Sequence, residues 1–177
     1  MESSLVVTAN EVEPVIGPTR RSFDPYSGIG VPPHITLLYP FAEPSAIDDD
    51  VASRVAMVAG EVDVFGYRLT RVRAFPDAVY LSPDPAEPFV ELTERLFRAF
   101  PAFPPFGGEF DTIVPHLTLG WRTHGAAAAD IERRLSAGLP IDAVAREITL
   151  LVEDDDGWST AARFPLRSRE PNGLRDR

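Results

Sequence analysis

The feature of this sequence that most constrains its fold is a short motif that occurs twice. Residues 33–41 read PHITLLYPF and residues 115–121 read PHLTLGW, so the pattern Pro-His-aliphatic-Thr-Leu is repeated. For average composition this pattern is expected at roughly one position in a million. Two of the 3 histidines nevertheless lie in it. We therefore expect a degenerate duplication, with the two motifs in equivalent places about an approximate two-fold axis.

Strand and helix patterns flank both copies of the motif. Strands are predicted for residues 4–9, 61–75, 78–82, 145–153 and 158–166, and helices for residues 45–60, 87–100 and 126–140. The helix at 45–60 carries Ser45 and Asp48 in a capping-box arrangement. Residues 10–33 and 101–114, which precede the motifs, are rich in Pro and Gly and predict long loops. Hairpin-length links between strands favour an α+β fold with antiparallel sheets over a doubly wound parallel sheet.

The motif residues themselves have strand composition, and side chains alternate between the two faces of a strand. In each copy the His and the Thr then share one face, while the aliphatic residues share the other and suit a core packed under helices. If the two sheets meet across the two-fold axis, their open faces line one cleft. That cleft would hold His34, Thr36, His116 and Thr118.

This set of side chains suits the cleavage of a phosphodiester. Two imidazoles with unperturbed pKa values near 6.5 can serve as general base and general acid on opposite sides of a phosphorus atom. Two hydroxyls can donate hydrogen bonds to the non-bridging oxygens. A single His-x-Thr on a strand is usually structural, but the repetition favours a catalytic pair. His124, in RTHG, lacks the pattern and is predicted to be a surface or turn residue.

Charge and composition exclude several classes of protein. The 17 basic residues are all Arg and are outnumbered by 27 acidic residues, giving a net charge of −10. Such a body repels long polyanions unless Arg is concentrated locally, and no Arg cluster is evident. The absence of Cys excludes disulfides and thiolate catalysis. No apolar run is long enough to span a membrane and the N-terminus lacks a signal pattern, so we expect a cytoplasmic monomer without membrane contact.

The segments PPHITLLYPF and VPHLTLGW resemble the two H-x-T motifs of the two-histidine phosphoesterase superfamily. The context DPYSGIGVPPHITLLYPF is similar to its 2′-5′ RNA ligase-like branch, and the likeness covers residues 3–166. The resemblance implies a bilobal fold with two pseudo-symmetric antiparallel sheets, helices on the outer faces and a central cleft. It implies one such domain over residues 1–166, followed by a tail, 167–177, whose low apolar content predicts disorder.

The same resemblance implies an activity and a set of active residues. The activity is hydrolysis of 2′,3′-cyclic phosphates of nucleotides or short RNA ends, or 2′-5′ RNA ligase-type chemistry, without a metal or other cofactor. His34, Thr36, His116 and Thr118 would form the active tetrad. The partner would be a nucleotide or a short RNA end bearing a cyclic phosphate.

Four further residues are candidates for substrate binding, with structural interpretations that compete. Relatives that handle RNA ends often have a basic residue soon after the second motif, and Arg122 is the nearest here. By strand parity Trp121 falls on the aliphatic face, so core packing competes with base stacking, and Tyr39 is equally ambiguous. Arg21, in the segment before the first motif, could reach a phosphate or simply be solvated.

Two alternatives from other classes remain open. The first is a non-catalytic protein that binds nucleotides or RNA ends on the same scaffold. The second is a metal-dependent hydrolase built from His34, His116 and His124 with a carboxylate, although no compact ligand spacing such as H-E-x-x-H is present. The acidic runs at 48–50 and 153–156 are better interpreted as a helix first turn and a turn.

Overall fold

The computed structural model describes residues 1–109 and 112–168, and within them strands and helices are interleaved. The strands are β1 (Ser3–Thr8), β2 (His34–Leu38), β3 (Phe65–Ala74), β4 (Ala78–Asp84), β5 (Leu117–Trp121), β6 (Ile141–Ala145), β7 (Glu147–Asp154) and β8 (Gly157–Pro165). The α-helices are α1 (Glu13–Phe23), α2 (Asp49–Glu61), α3 (Glu87–Ala99) and α4 (Ala128–Leu135). None of the helices described is long and apolar enough to cross a bilayer.

The strands form two antiparallel sheets of four strands each, which confirms the predicted α+β class. The first sheet has the order β2-β1-β7-β8 and the second has the order β5-β4-β3-β6. Each motif strand lies at the edge of its sheet, paired with β1 or β4, and the two motif strands contact each other. The succession β1-α1-β2-α2 is repeated as β4-α3-β5-α4. The predicted pseudo-symmetry therefore places both motifs at the junction of the two lobes.

The aliphatic residues of both motifs lie in the core, as strand alternation predicts. Ile35, Leu37, Leu117 and Leu119 are fully buried in one apolar cluster that spans both lobes. Burial of an aliphatic side chain of this size contributes about 1.5–3 kcal/mol. The core therefore fixes which face of each motif strand points away from it.

Helices α1 and α3 pack crosswise between the lobes. Helix α1 follows β1 of the first sheet but packs on β5, and α3 follows β4 of the second sheet but packs on β2. The approach of α1 depends on Gly120, because a Cβ there would lie 2.4 Å from the Cβ of Phe23. Each motif strand is thus held by a helix that belongs to the other half of the chain.

Segment 10–33 is not the long loop that its Pro and Gly content predicts, since it contains α1. Pro14 lies at the start of this helix, where a missing N–H costs nothing, and Pro18 is tolerated inside it. The buried residues Ile16 and Thr19 anchor α1 to the protein. Tertiary packing here overrides local propensity.

Three smaller features also differ from prediction. Asp48, not Ser45, caps α2 by accepting a hydrogen bond from the Val51 N–H at 3.0 Å. Strand β6, beside β3, is an additional strand. Of the predicted tail, Arg167 pairs with Asp63 at 2.6 Å, and the part from residue 169 onward lies outside the described residues. The predicted β3–β4 and β7–β8 hairpins are both present.

Candidate active site

The four motif residues line a single cavity of about 270 Å³ between the lobes. His34, the first residue of β2, and Thr36 line it from the first sheet. His116, which directly precedes β5, and Thr118 line it from the second. All four are partly buried. The cavity is therefore built from the open faces of the two sheets, at the junction that the repeated motif predicts.

Both imidazoles are oriented by a backbone carbonyl two residues earlier in the chain. His34 Nδ1 lies 2.8 Å from the Pro32 oxygen, and His116 Nδ1 lies 2.7 Å from the Val114 oxygen. A carbonyl oxygen can only accept, so Nδ1 carries a proton in each ring. The Nε2 atom of each ring is then the nitrogen left to accept a further proton.

Burial lowers the pKa of both histidines. It lowers the pKa of His34 to about 4, with a smaller contribution from the Arg20 charge, while the Pro32 carbonyl opposes the shift. The pKa of His116 is also lowered by burial and is held up in part by the Val114 carbonyl and by Asp77. Both imidazoles of the free protein are thus mainly neutral at pH 7. A bound phosphate anion would favour their charged forms.

Aromatic rings account for much of the burial of His116. The rings of Phe75, Tyr80 and Phe106 have centroids 5.1, 5.4 and 5.9 Å from its imidazole. Phe106 adopts a left-handed backbone conformation, with a φ of 51°, which is uncommon for a residue other than glycine. A ring held against the imidazole in this way excludes water from one side of it.

A β-bulge follows the Thr in each motif and changes the face of the next aromatic residue. In β5, Thr118 pairs with Tyr80, but Trp121 pairs with Ala78, so one extra residue is inserted between them. In β2 the register shifts at the same place in the motif. A bulge moves later side chains to the opposite face. Strand parity was therefore wrong for Trp121, which lines the cavity, as Tyr39 does.

The two aromatic residues after the motifs are each paired with a second ring at the cavity wall. Trp121 meets Tyr26 edge to face, with centroids 6.0 Å apart, and Tyr39 lies 6.4 Å from Trp158. The Tyr39 hydroxyl donates to the Glu2 carboxylate. The buried Trp121 Nε1 has no hydrogen-bond partner within the described part of the chain.

Neither of the two arginines proposed from the sequence as substrate contacts lines the cavity. Arg21 is exposed and forms an ion pair with Glu13 at 3.0 Å. Arg122 donates from Nε to the Phe75 oxygen at 3.2 Å. Phe41, the last residue of the segment PHITLLYPF, is buried beside Phe100 in the core.

The cavity arginine is instead the adjacent Arg20, which from the sequence shares with Arg21 the choice between reaching a phosphate and being solvated. Its side chain is 3% exposed and pairs with Asp24 at 2.7 Å. It also donates to the Val31 oxygen at 3.1 Å, in the segment that leads to His34. Once 13–23 is recognised as a helix, Arg20 falls one turn after the buried Ile16 and so on the buried face. Tyr26, Phe106 and Trp158 had no motif that could have revealed them.

The third histidine lies apart from the other two. His124 is exposed in a 3-10 turn, where its Nδ1 is 3.1 Å from the Thr123 hydroxyl, and it does not line the cavity. Its prediction as a surface or turn residue is confirmed. Over residues 1–109 and 112–168, no group of three or more His, Cys, Asp or Glu side chains could hold a metal ion.

A two-lobed α+β fold with paired His-x-Thr motifs on one cavity defines the two-histidine phosphoesterases. The profile of the 2′-5′ RNA ligase superfamily matches residues 7–157, and the chain belongs to that superfamily. A candidate phosphoesterase of Geobacillus kaustophilus is 27% identical over 156 residues, which are 85% of this chain and 87% of that protein. A candidate phosphoesterase of Bacillus cytotoxicus is 28% identical over 66% of each chain.

Solved structures show the same fold at lower identity. TT0787 of Thermus thermophilus superposes with a TM-score of 0.67 and 19% identity over 96% of this chain and all of its own. LigT of E. coli, complexed with NADP⁺, superposes with a TM-score of 0.59 and 17% identity over 94% of this chain and 97% of its own. These likenesses confirm the bilobal architecture.

Proposed function

We propose that this chain is a metal-independent phosphoesterase that hydrolyses 2′,3′-cyclic phosphates of nucleotides or short RNA ends. The observation that carries the proposal is the pair of motif histidines in one cavity, each with Nδ1 bound to a carbonyl and Nε2 left as its proton site. Each is accompanied by the motif threonine on the same face. This set supplies a base, an acid and two hydroxyl donors around one phosphate.

The reaction follows from these four groups. The neutral imidazole accepts a proton from water at Nε2 as the water oxygen attacks phosphorus in line. The protonated imidazole donates its Nε2 proton to the 2′ or 3′ oxygen, whose bond to phosphorus breaks. The product is a phosphomonoester with a free neighbouring hydroxyl. Thr36 and Thr118 donate hydrogen bonds to the non-bridging oxygens, where negative charge accumulates in the transition state.

Nucleotide recognition is supported by the cavity walls and by a structural neighbour. The solved complexes of LigT contain NADP⁺ or 3′-AMP. In this chain, Trp121 and Tyr39 present aromatic rings on the motif faces. Stacking a base on such a ring contributes about 1–3 kcal/mol. On these two grounds we propose that this chain also binds nucleotides, and that it acts on RNA ends.

A direct assay tests the proposal. Purified protein is incubated with each 2′,3′-cyclic mononucleotide, with and without EDTA, and products are separated by chromatography. We expect a single phosphomonoester isomer at a rate that EDTA leaves unchanged. A rate lost to EDTA and restored by zinc or manganese would overturn metal independence. Binding of nucleotides without turnover would instead identify a non-catalytic binding protein.

The product also separates hydrolysis from ligation. A 5′-hydroxyl of an RNA can replace the attacking water and be joined through a 2′-5′ linkage by the same two proton transfers. Including a 5′-hydroxyl oligonucleotide in the assay distinguishes the two reactions. We expect the cyclic phosphate to open to a monoester in its presence. A 2′-5′-joined oligonucleotide as the main product would show that the chain acts as a ligase.

A further inference from the structure

Three arginines lie on one face of β3, outside the cavity. The register pairs Arg68 with Asp84, Arg71 with Ser82 and Arg73 with Tyr80, and these three positions of β4 alternate on a single face. The register shift between Leu69 and Arg71 brings Arg68 to the same side as the other two. The segment RLTRVR at 68–73 already contains the three arginines, so the expectation of no Arg cluster was wrong, and the bulge places all three on one face.

This face of the second sheet is continuous with the catalytic face of β5. Tyr80 of β4 lies between Arg73 and Thr118 in cross-strand register. Its ring is 5.4 Å from the His116 imidazole. Neighbouring strands are about 4.8 Å apart, so β3 lies ~10 Å from the motif strand. This gap is wider than the spacing of successive phosphates, but a long arginine side chain on β3 can reach back over β4 to a phosphate one nucleoside from the cavity.

Two of the three guanidinium groups are available to a ligand. Arg68 forms an ion pair with Asp142 at 3.0 Å. Arg71 and Arg73 are exposed and form no ion pair with the residues that the structure describes. In a chain of net charge −10, two unpaired cations beside the cavity provide a local attraction for an anion.

The equivalent strand of the first sheet has the opposite charge. In the pseudo-symmetric arrangement β7 corresponds to β3, since each is third in its sheet from the motif strand. Val6 of β1 is in register with Thr36 on one side and with Thr149 of β7 on the other. Thr149 therefore lies on the cavity face of β7. The same face carries Glu147, held by Arg163 at 2.7 Å, and Glu153, in register with Trp158 of the cavity wall. Because Arg163 neutralises Glu147, Glu153 is the negative charge that remains on this face, and an anion is attracted to β3 instead.

We propose that Arg71 and Arg73 form a second phosphate subsite, which binds the phosphate on the 5′ side of the terminal nucleoside of an oligonucleotide. This inference rests on the proposed function, because it assumes that the cyclic phosphate occupies the cavity between His34 and His116. The nucleic acid then crosses the second sheet from β5 over β4 to β3. The preferred substrate is an oligonucleotide end, and not a mononucleotide without a 5′ phosphate.

The kinetic test compares substrates that differ only in this phosphate. The wild-type protein and Arg71→Gln/Arg73→Gln are assayed with a 2′,3′-cyclic mononucleotide with a 5′-hydroxyl, the same nucleotide with a 5′-phosphate, and a trinucleotide with the same terminus. We expect the wild type to have a higher kcat/KM for both substrates that carry the phosphate. In the double variant, the ratio of kcat/KM with and without the phosphate should fall by at least about tenfold. Arg71→Lys/Arg73→Lys, which keeps the charges, should recover part of it.

The matched control has the same change in net charge on the outer helices. Arg98→Gln/Arg133→Gln removes two exposed arginines from α3 and α4. It should retain the wild-type ratio of kcat/KM values for the trinucleotide and the mononucleotide. Equal kcat/KM values for all three substrates in the wild type would overturn the subsite. An equal loss of preference in the control would also overturn it, because general charge would then be the cause.

A binding measurement separates the subsite from the proposed activity. Fluorescence polarisation with a labelled trinucleotide that ends in a 3′-phosphate reports affinity without turnover. We expect weaker binding to Arg71→Gln/Arg73→Gln and a salt dependence that is shallower by about 0.7 in log Kd per log salt, for one neutralised phosphate of a single strand. If this difference is present but no cyclic phosphate is hydrolysed, the subsite stands and the hydrolase proposal fails. If mononucleotides are hydrolysed and the variant binds like the wild type, the subsite fails alone.

Discussion

At the scale of single residues, the proposal depends on two imidazoles that act as a unit. We predict that His34→Ala and His116→Ala each reduce kcat/KM for a cyclic mononucleotide by at least about 10²-fold, because each removes one of the two proton-transfer groups. The double variant should be little worse than either single variant, since one missing partner already disables the pair. Steady-state kinetics measure this, with circular dichroism to show that the fold is retained.

The chain provides a matched control for these substitutions. His124 is exposed and lies outside the cavity, so His124→Ala should retain wild-type kinetics. Full activity in either His34→Ala or His116→Ala would contradict the paired mechanism.

The pH dependence follows from the lowered pKa values. Catalysis needs one neutral and one protonated imidazole, and burial lowers the pKa of His34 to about 4 and also lowers that of His116 from 6.5. Above the upper pKa of the pair the acid is lost, and below the lower one the base is lost. We predict a bell-shaped kcat/KM with its optimum below pH 6.5, with limbs that belong to the pair.

The pH optimum of kcat should lie at a higher pH than the optimum of kcat/KM. A bound phosphate anion stabilises the imidazolium and raises the pKa values in the complex, so the kcat profile should move to higher pH. Rates measured from pH 4 to 9 at constant ionic strength report both profiles. A kcat/KM optimum above pH 7 would show that the histidines of the free protein are not desolvated as the structure indicates.

That the four motif residues meet in one cavity could be predicted from the sequence, but the surroundings of that cavity could not. His34 and His116 were identified because residue type, repetition and strand parity all point to the same face. Trp121 was misplaced because parity assumes a regular strand, and the register shift after Thr118 is an interaction with β4 that the local sequence does not encode. Tertiary structure therefore decides that the aromatic residues after the two bulges, and Arg20 of α1, line the cavity.

At the scale of elements, α1 is the main difference between expectation and structure. Its sequence, EPVIGPTRRSF, contains Pro14, Gly17 and Pro18, which by local propensity predict a loop. It is stabilised as a helix by packing on β5, where Gly120 admits Phe23. The helices at 49–61 and 87–99 were predictable because their apolar spacing is regular and no Pro interrupts it.

Two adjacent arginines of α1 allow a direct test of how this helix is held. Arg20 and Asp24 are 3% and 4% exposed, so Arg20→Gln leaves a buried carboxylate without its partner. We predict a loss of about 3–5 kcal/mol in the free energy of unfolding. Arg21 is 62% exposed and pairs with Glu13 at the surface, so Arg21→Gln should cost less than about 1 kcal/mol. Urea denaturation measures both values.

A second variant distinguishes the cost of an unpaired buried charge from the cost of losing both charges. Arg20→Gln/Asp24→Asn removes both charges and should be more stable than Arg20→Gln alone, because no unpaired charge stays buried. If Arg20→Gln and Arg21→Gln have the same stability, the buried ion pair does not hold α1.

At the scale of the whole molecule, the duplication is visible in the structure as two sheets that exchange their supporting helices. The α+β class and the central cleft follow from the repeated motif and the hairpin-length links. The sheet orders do not, because β6 was not recognised and because α1 and α3 pack on motif strands of the other lobe. The two lobes share a fold but differ in charge, with arginines on β3 where β7 carries Glu147 and Glu153.

This difference limits how much nucleic acid the protein can use. Arg71 and Arg73 provide contacts for about one or two phosphates, and the rest of a chain of net charge −10 repels a longer strand. We predict that kcat/KM rises from a cyclic mononucleotide to a trinucleotide and then stays level for a long RNA with the same terminus. The slope of log kcat/KM against log salt should be no steeper than about −1.4. Assays with substrates of graded length at several salt concentrations measure both quantities. A long RNA preferred over the trinucleotide by more than about 10²-fold, with a steep salt slope, would require a basic surface much larger than this arginine pair.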